Sequence, residues 1–202
     1  ELGEIPMGWE VLKFKELVYH SKESINPSLN PNTCYDHYSI PAYDLNKIPT
    51  SELGSVILSN KFIVKNGSIL ISKLNPRISR LWLIINKSNI SAICSTEFQV
   101  FIPKNKDDFG YIFSLASSEC FKQQMINQVT GTSSSHQRVR PADILNIAVL
   151  APHKRVLQNF NRIVNPLLVK VNNNIRDNQN FDEGKRMLTN KLMTGQIRVS
   201  KH

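Results

Sequence analysis

Hydrophobic residues come in short blocks through the first hundred positions and at helical spacing near the end, and this change of period lays out the elements. Ile5-Pro6 opens extended, because the residue before proline avoids the helical region. Trp9, Val11 and Leu12, then Phe14, Leu17 and Val18, form a short amphipathic helix or strand ending near His20. Residues 21–49 are rich in Asn, Pro, Ser and Tyr and read as loops and short strands, with Tyr35, Tyr38 and Tyr43 as half-buried packing residues. Lys61–Lys65 and Ser68–Ser72 read as strands on either side of Asn66-Gly67, a pair that takes the positive φ angles of a tight hairpin. Leu81–Ile85 and Glu97–Ile102 are two further strands, the second alternating so that one face is expected to meet solvent. Asp107–Gln128 reads as one helix, Asp143–Leu150 as a last strand, and Thr130–Gln137 as a polar loop between them.

The C-terminal stretch from Arg155 to Arg198 carries the strongest pattern. Val156, Phe160, Ile163, Leu167, Val171, Ile175, Phe181, Leu188 and Leu192 recur mostly at steps of three, four or seven, which places most of them on one helical stripe. Gly195 stands where such a helix needs a stop. Forty residues of α-helix span about 60 Å, and a rod that long with a single apolar seam needs a partner to cover it. Pro166 is expected to kink or divide the rod, and Asn172, Asn173, Asn174, Asn178 and Asn180 dilute its middle.

Charge then separates the chain into two parts. The formal net charge is +9 over 202 residues; residues 1–150 carry +2 of it and residues 151–202 carry +7. Nucleic acid is therefore the leading class of partner, ahead of an acidic membrane surface. No acidic residue lies between Glu52 and Glu97, a window that contains Lys73, Arg77 and Arg80, and none lies between Phe121 and Ala142, which contains Ser133, Ser134, His136, Gln137, Arg138 and Arg140. Arginine grips phosphate with two prongs or reads the O6/N7 edge of guanine, and hydroxyls and amides add further donors. These nine residues are the candidate DNA contacts.

Signs of catalysis are sparse. No glycine-rich nucleotide fingerprint occurs. The histidines at 20, 37, 136, 153 and 202 show no metal-ligand spacing, so no metal site is expected. Asp177, Asp182 and Glu183-Gly184-Lys185 are nuclease-like in composition but lie along the helix, where carboxylates do not converge on a cation. Ser135 and His136 are adjacent and lack an orienting third group. Cys34, Cys94 and Cys120 are odd in number and widely spaced, as reduced thiols are. With no apolar leader and no run long enough to span a membrane, the expected compartment is the cytoplasm.

Four motifs together resemble the specificity subunits of type I restriction–modification enzymes. Gly3-Glu4-Ile5-Pro6-Met7-Gly8-Trp9 resembles that family's opening, and Asn66–Ser72 followed by Asn75-Pro76-Arg77-Ile78 resembles its central strand and loop. Thr130-Gly131-Thr132-Ser133 with Arg138-Val139 and Asp143-Ile144-Leu145 resembles its closing strand, and Leu188–Val199 resembles its "L-x-x-K-L-M-S-G-x-I/L-R-V" tail. The chain departs from the family at Ala151-Pro152-His153, where paired prolines are usual, and in having one recognition unit and one spacer where a full subunit has two of each.

The resemblance implies an α+β protein: a mixed-sheet target-recognition domain over 1–151, a helical spacer over 152–198 and a tail over 199–202. It implies a half-length form or fragment whose long C-terminal helix pairs as an antiparallel coiled coil in a homodimer, through Phe160, Ile163, Leu167, Val171, Ile175, Leu188 and Leu192. The expected function is sequence-specific recognition of double-stranded DNA without chemistry of its own. Methyl transfer from S-adenosylmethionine would belong to a modification subunit and ATP-driven cleavage to a restriction subunit, so the chain itself is expected to bind no cofactor. A protein-interaction module with a docking helix is the alternative, and a nuclease or methyltransferase in its own right is a further one.

Overall fold

The computed structural model describes residues 5–85, 90–130 and 137–197. In chain order the head contains β1 (Glu10–Lys13), β2 (Val18–Ser21), β3 (Ser24–Ile25), β4 (Cys34–Tyr38), α1 (Ile40–Asn46), β5 (Thr50–Leu53), β6 (Lys61–Val64), β7 (Ile69–Ser72), β8 (Leu81–Leu83), β9 (Ser91–Cys94) and β10 (Phe98–Pro103). Then follow α2 (Phe109–Ala116), α3 (Glu119–Asn127), α4 (Pro141–Leu145), β11 (Ala148–Ala151) and the long α5 (Lys154–Met193). The α+β class with a long C-terminal helix holds.

The strands form three sheets, ordered β2-β10-β7-β8, β3-β6-β9-β4-β5 and β1-β11. Among the described residues only β4 and β9 pair in parallel. The four-stranded sheet is the middle layer because its strands are apolar on both faces. Ile69, Ile71, Leu83 and Phe101 point to the helices, where Phe14 meets Phe101 and Phe121 edge-on at 5.3 and 5.0 Å. Leu70, Trp82, Phe98 and Val100 point to the five-stranded sheet, where Tyr38 and Tyr43 close edge-on around Trp82.

Four expectations from the sequence are corrected here. Asn66-Gly67 does make the turn, with Gly67 at φ +81°, but β6 and β7 do not pair as a hairpin; they leave the turn for different sheets. The stretch 107–128 breaks into two helices at Ser117-Ser118, where the Ser118 hydroxyl accepts from the Phe121 amide and starts α3 afresh. Residues 143–150 begin as α4, with Pro141 in its first turn, and become strand only at Ala148. The alternating strand β10 has no solvated face either. Gln99 is buried, with its amide donating to the Phe98 carbonyl and its Oε1 2.9 Å from His20 Nε2.

Helix α5 starts at the His153 cap and runs unbroken past Pro166 to a Thr194 cap, with Gly195 at φ +70° turning the chain away. Its first half docks on the head through asparagines. Asn161 is 4% exposed; its Oδ1 accepts from the Tyr111 amide and its Nδ2 donates to Asp108 Oδ1. Asn165 accepts from the Gly110 amide and donates to the Asp107 carbonyl, and Asn172 donates to the Ile85 carbonyl. Around them Phe160 meets Tyr111 edge-on, Leu168 packs against the helical core and Arg176 hydrogen-bonds Tyr38. Anchors on both sides of Pro166 therefore hold one helix axis where the missing amide alone would favour a break.

Candidate functional site

The loop after β7 and the chain after α3 are stitched together by backbone hydrogen bonds. Asn75 N donates to Gln137 O at 2.8 Å, Val139 N donates to Lys73 O at 3.0 Å, and Arg138 and Thr130 exchange bonds at 2.9 and 3.1 Å. Lys73 N donates in turn to Glu97 O, which ties the loop to the start of β10. The two acid-free windows, far apart in sequence, thus become one surface. Asn75 takes φ +43°, a left-handed turn that asparagine tolerates, and Ile78 N closes back on Asn75 O so that Pro76-Arg77 forms a tip. Arg77 and Ser79 are exposed there, and Lys73 and Gln137 are half-buried behind them.

The arginines on this surface are not equivalent. Arg138 presents Nε and Nη2 to the Glu97 carboxylate at 3.0–3.3 Å, and Arg140 grips Asp143 at 2.7 and 3.1 Å. Glu97 and Asp143 are the acids that end the two windows in sequence, and folding returns each to an arginine of the basic surface. Asp143, three residues from Arg140 in the first turn of α4, was findable from spacing. Glu97 was not, since the strand register that brings it to Arg138 is long-range. Arg80 is committed elsewhere: Nε and Nη2 hold both oxygens of Asp44 on α1 at 2.7 and 2.8 Å, and its side chain is only 9% exposed. The same bonds raise the Arg80 pKa and hold the Asp44 carboxyl below its ordinary value. Arg80 rivets the loop to α1. Arg80→Ala is expected to lower the unfolding free energy by about 1–2 kcal/mol, read by urea denaturation, because the lost bonds are charge-assisted and Asp44 is partly solvated.

Ser133, Ser134 and His136 lie outside the described residues. Among the described residues no group of three His, Cys, Asp or Glu side chains could hold a metal ion. Burial pushes the Cys94 thiol up to about 12, and all three cysteines are free. Among the described residues no helix is long and apolar enough to cross a membrane.

On α5 the asparagine anchors face the head, while Val156, Ile163, Leu167, Val171, Phe181, Leu188 and Leu192 form an uncovered apolar stripe, each 45–73% exposed. Of the seven residues expected to pair, Phe160 and Ile175 lie partly buried and the other five belong to this stripe.

Comparison with known proteins points to one family. Residues 6–165 match the type I restriction modification DNA specificity domain. A curated relative, the type I restriction enzyme MjaVIII specificity subunit of Methanocaldococcus jannaschii, is 26% identical over 98% of this chain and 48% of its own length. The fold is similar to the HsdS subunit of Thermoanaerobacter tengcongensis, with TM-score 0.65 and 22% identity over 92% of this chain and 48% of that one. It is also similar to a chain solved in a study of assembly and conformational transition of the type I R-M system, with TM-score 0.62 and 22% identity over 98% of this chain and 51% of the other. The chain spans about half the length of these relatives.

Proposed function

The chain belongs to the type I restriction modification DNA specificity family, and from that premise we propose that its head reads a preferred sequence in duplex DNA. The observation that carries this reading is the joining of the two acid-free windows into one basic surface around Lys73, Arg77, Gln137 and Arg138. Arg77 stands at an exposed tip, suited to enter a groove. Arg138 is pre-aimed by Glu97, so little rotamer freedom is lost when it meets guanine or phosphate. Ser133, Ser134, His136 and Arg140 complete the proposed contact set. The chain contributes recognition without chemistry; in a cytoplasmic complex, modification and restriction subunits would methylate and cleave the DNA it selects.

Two copies would pair their α5 helices antiparallel, covering the stripe and holding two heads over an interrupted palindrome, since two-fold protein symmetry is mirrored in the site. With a site selected from a random duplex library, Arg77→Ala and Arg138→Ala are each expected to weaken binding by about 1–3 kcal/mol in fluorescence anisotropy. Unchanged affinity in both folded variants would remove this surface from the site. The stripe also suits a protein-interaction module, which would bind DNA without preferring one sequence over another.

A further inference from the structure

We propose that the apolar stripe of α5 pairs with a second copy in one register, with Asn174 on the two-fold axis. This rests on the reading that two copies pair, and adds where they meet. At about 100° per residue, Asn174 lies at the centre of the stripe, opposite the turn that docks on the head, and it is exposed. Reversing the chain about this position sets four of the seven stripe residues against one another. Val156 falls opposite Leu192 and Leu167 opposite Phe181; Ile163 meets Lys185, whose aliphatic stem covers apolar surface, Leu188 meets Phe160, and Val171 meets the stem of Asp177.

Charge follows the same symmetry. Lys170 and Asp177 lie on one flank of the stripe, and the reversal brings Lys170 of each copy beside Asp177 of the other. Asn174 would meet its own mate, and a carboxamide supplies both donor and acceptor, so two symmetry-related copies satisfy one another. A heptad shift would place Asn174 against Phe181 and bury an unmatched amide, so the asparagine specifies register.

Disulfide trapping tests this in the full chain, with the exposed Cys34 and Cys120 replaced by serine and the buried Cys94 kept. Asn174→Cys is expected to form a covalent dimer under mild oxidation, because its two copies meet at the axis. Asn178→Cys is expected to form none: its copies are about 12 Å apart along the helix axis, beyond the roughly 4.4–6.8 Å between Cα atoms that a disulfide spans. A dimer in sedimentation that is trapped at 178, or at neither position, overturns the register and leaves pairing standing. A monomer at micromolar concentration overturns both.

Discussion

Asn161→Ala combined with Asn165→Ala is expected to lower the unfolding free energy by about 3–5 kcal/mol, from the 1–3 kcal/mol that each buried group left unpaired costs. The first amides of a helix have no partner within it. In α2 those of Gly110 and Tyr111 are satisfied from another helix, by the Oδ1 atoms of Asn165 and Asn161. The donors of the same two side chains occupy the Asp107 carbonyl and the Asp108 carboxylate, which burial holds above the ordinary carboxylate range. Truncation strands several polar groups at one junction. Gly110 belongs to the same device, since a Cβ there would sit 2.1 Å from Asn165 Oδ1 and displace the cap. Urea unfolding followed by tryptophan fluorescence should show the loss, while the exposed Asn180→Ala changes stability by less than about 0.5 kcal/mol. Equal stability of the double variant and Asn180→Ala would mean that the asparagines do not hold the helix to the head.

What the sequence disclosed and what it hid divide along sequence distance. Helical periodicity exposed α5 and its stripe, because a seam repeating every three to four residues is written locally. The same reading took the central asparagines as dilution, yet Asn172, with Asn161 and Asn165, forms a second face aimed at the head. A polar residue docks a helix only when its partners are in place, and those partners lie fifty or more residues away. The strands were visible as apolar blocks, but Asn66-Gly67 shows that a turn fixes local direction and not pairing. Both neighbours of β7 lie later in sequence, and their register is set by a core no short window contains. The break at Ser117-Ser118 and the helical start at Pro141 carried ordinary capping signals that the apolar spacing outweighed. For the candidate site, the two basic windows were plain from absent acids. Their union, and the division of arginines between the loop rivet at Arg80 and the surface at Arg77 and Arg138, came from folding alone.

If two copies pair as proposed, Leu167→Glu is expected to leave a monomer and to weaken binding to a palindromic site by about 10²–10⁴-fold, the gain that linking two modules confers. Leu167 is 57% exposed, so its own head loses almost nothing and urea stability of the monomer should hold. In the pair, however, a carboxylate would be buried opposite Phe181 without a partner, which association cannot support. Because each head would then meet DNA alone, the slope of log affinity against log salt should fall to about half, as half the phosphates are neutralised. Two arms separate this from general damage. Binding to a single half-site should be unchanged, and adding Phe181→Lys should restore both dimer and affinity in part, since antiparallel pairing sets Lys against Glu of the other copy. Residues 167 and 181 are fourteen apart on one helix, about 21 Å, so no contact within a single chain could produce that rescue. A Leu167→Glu protein that stays dimeric by sedimentation would show that the stripe is not the surface by which two copies meet.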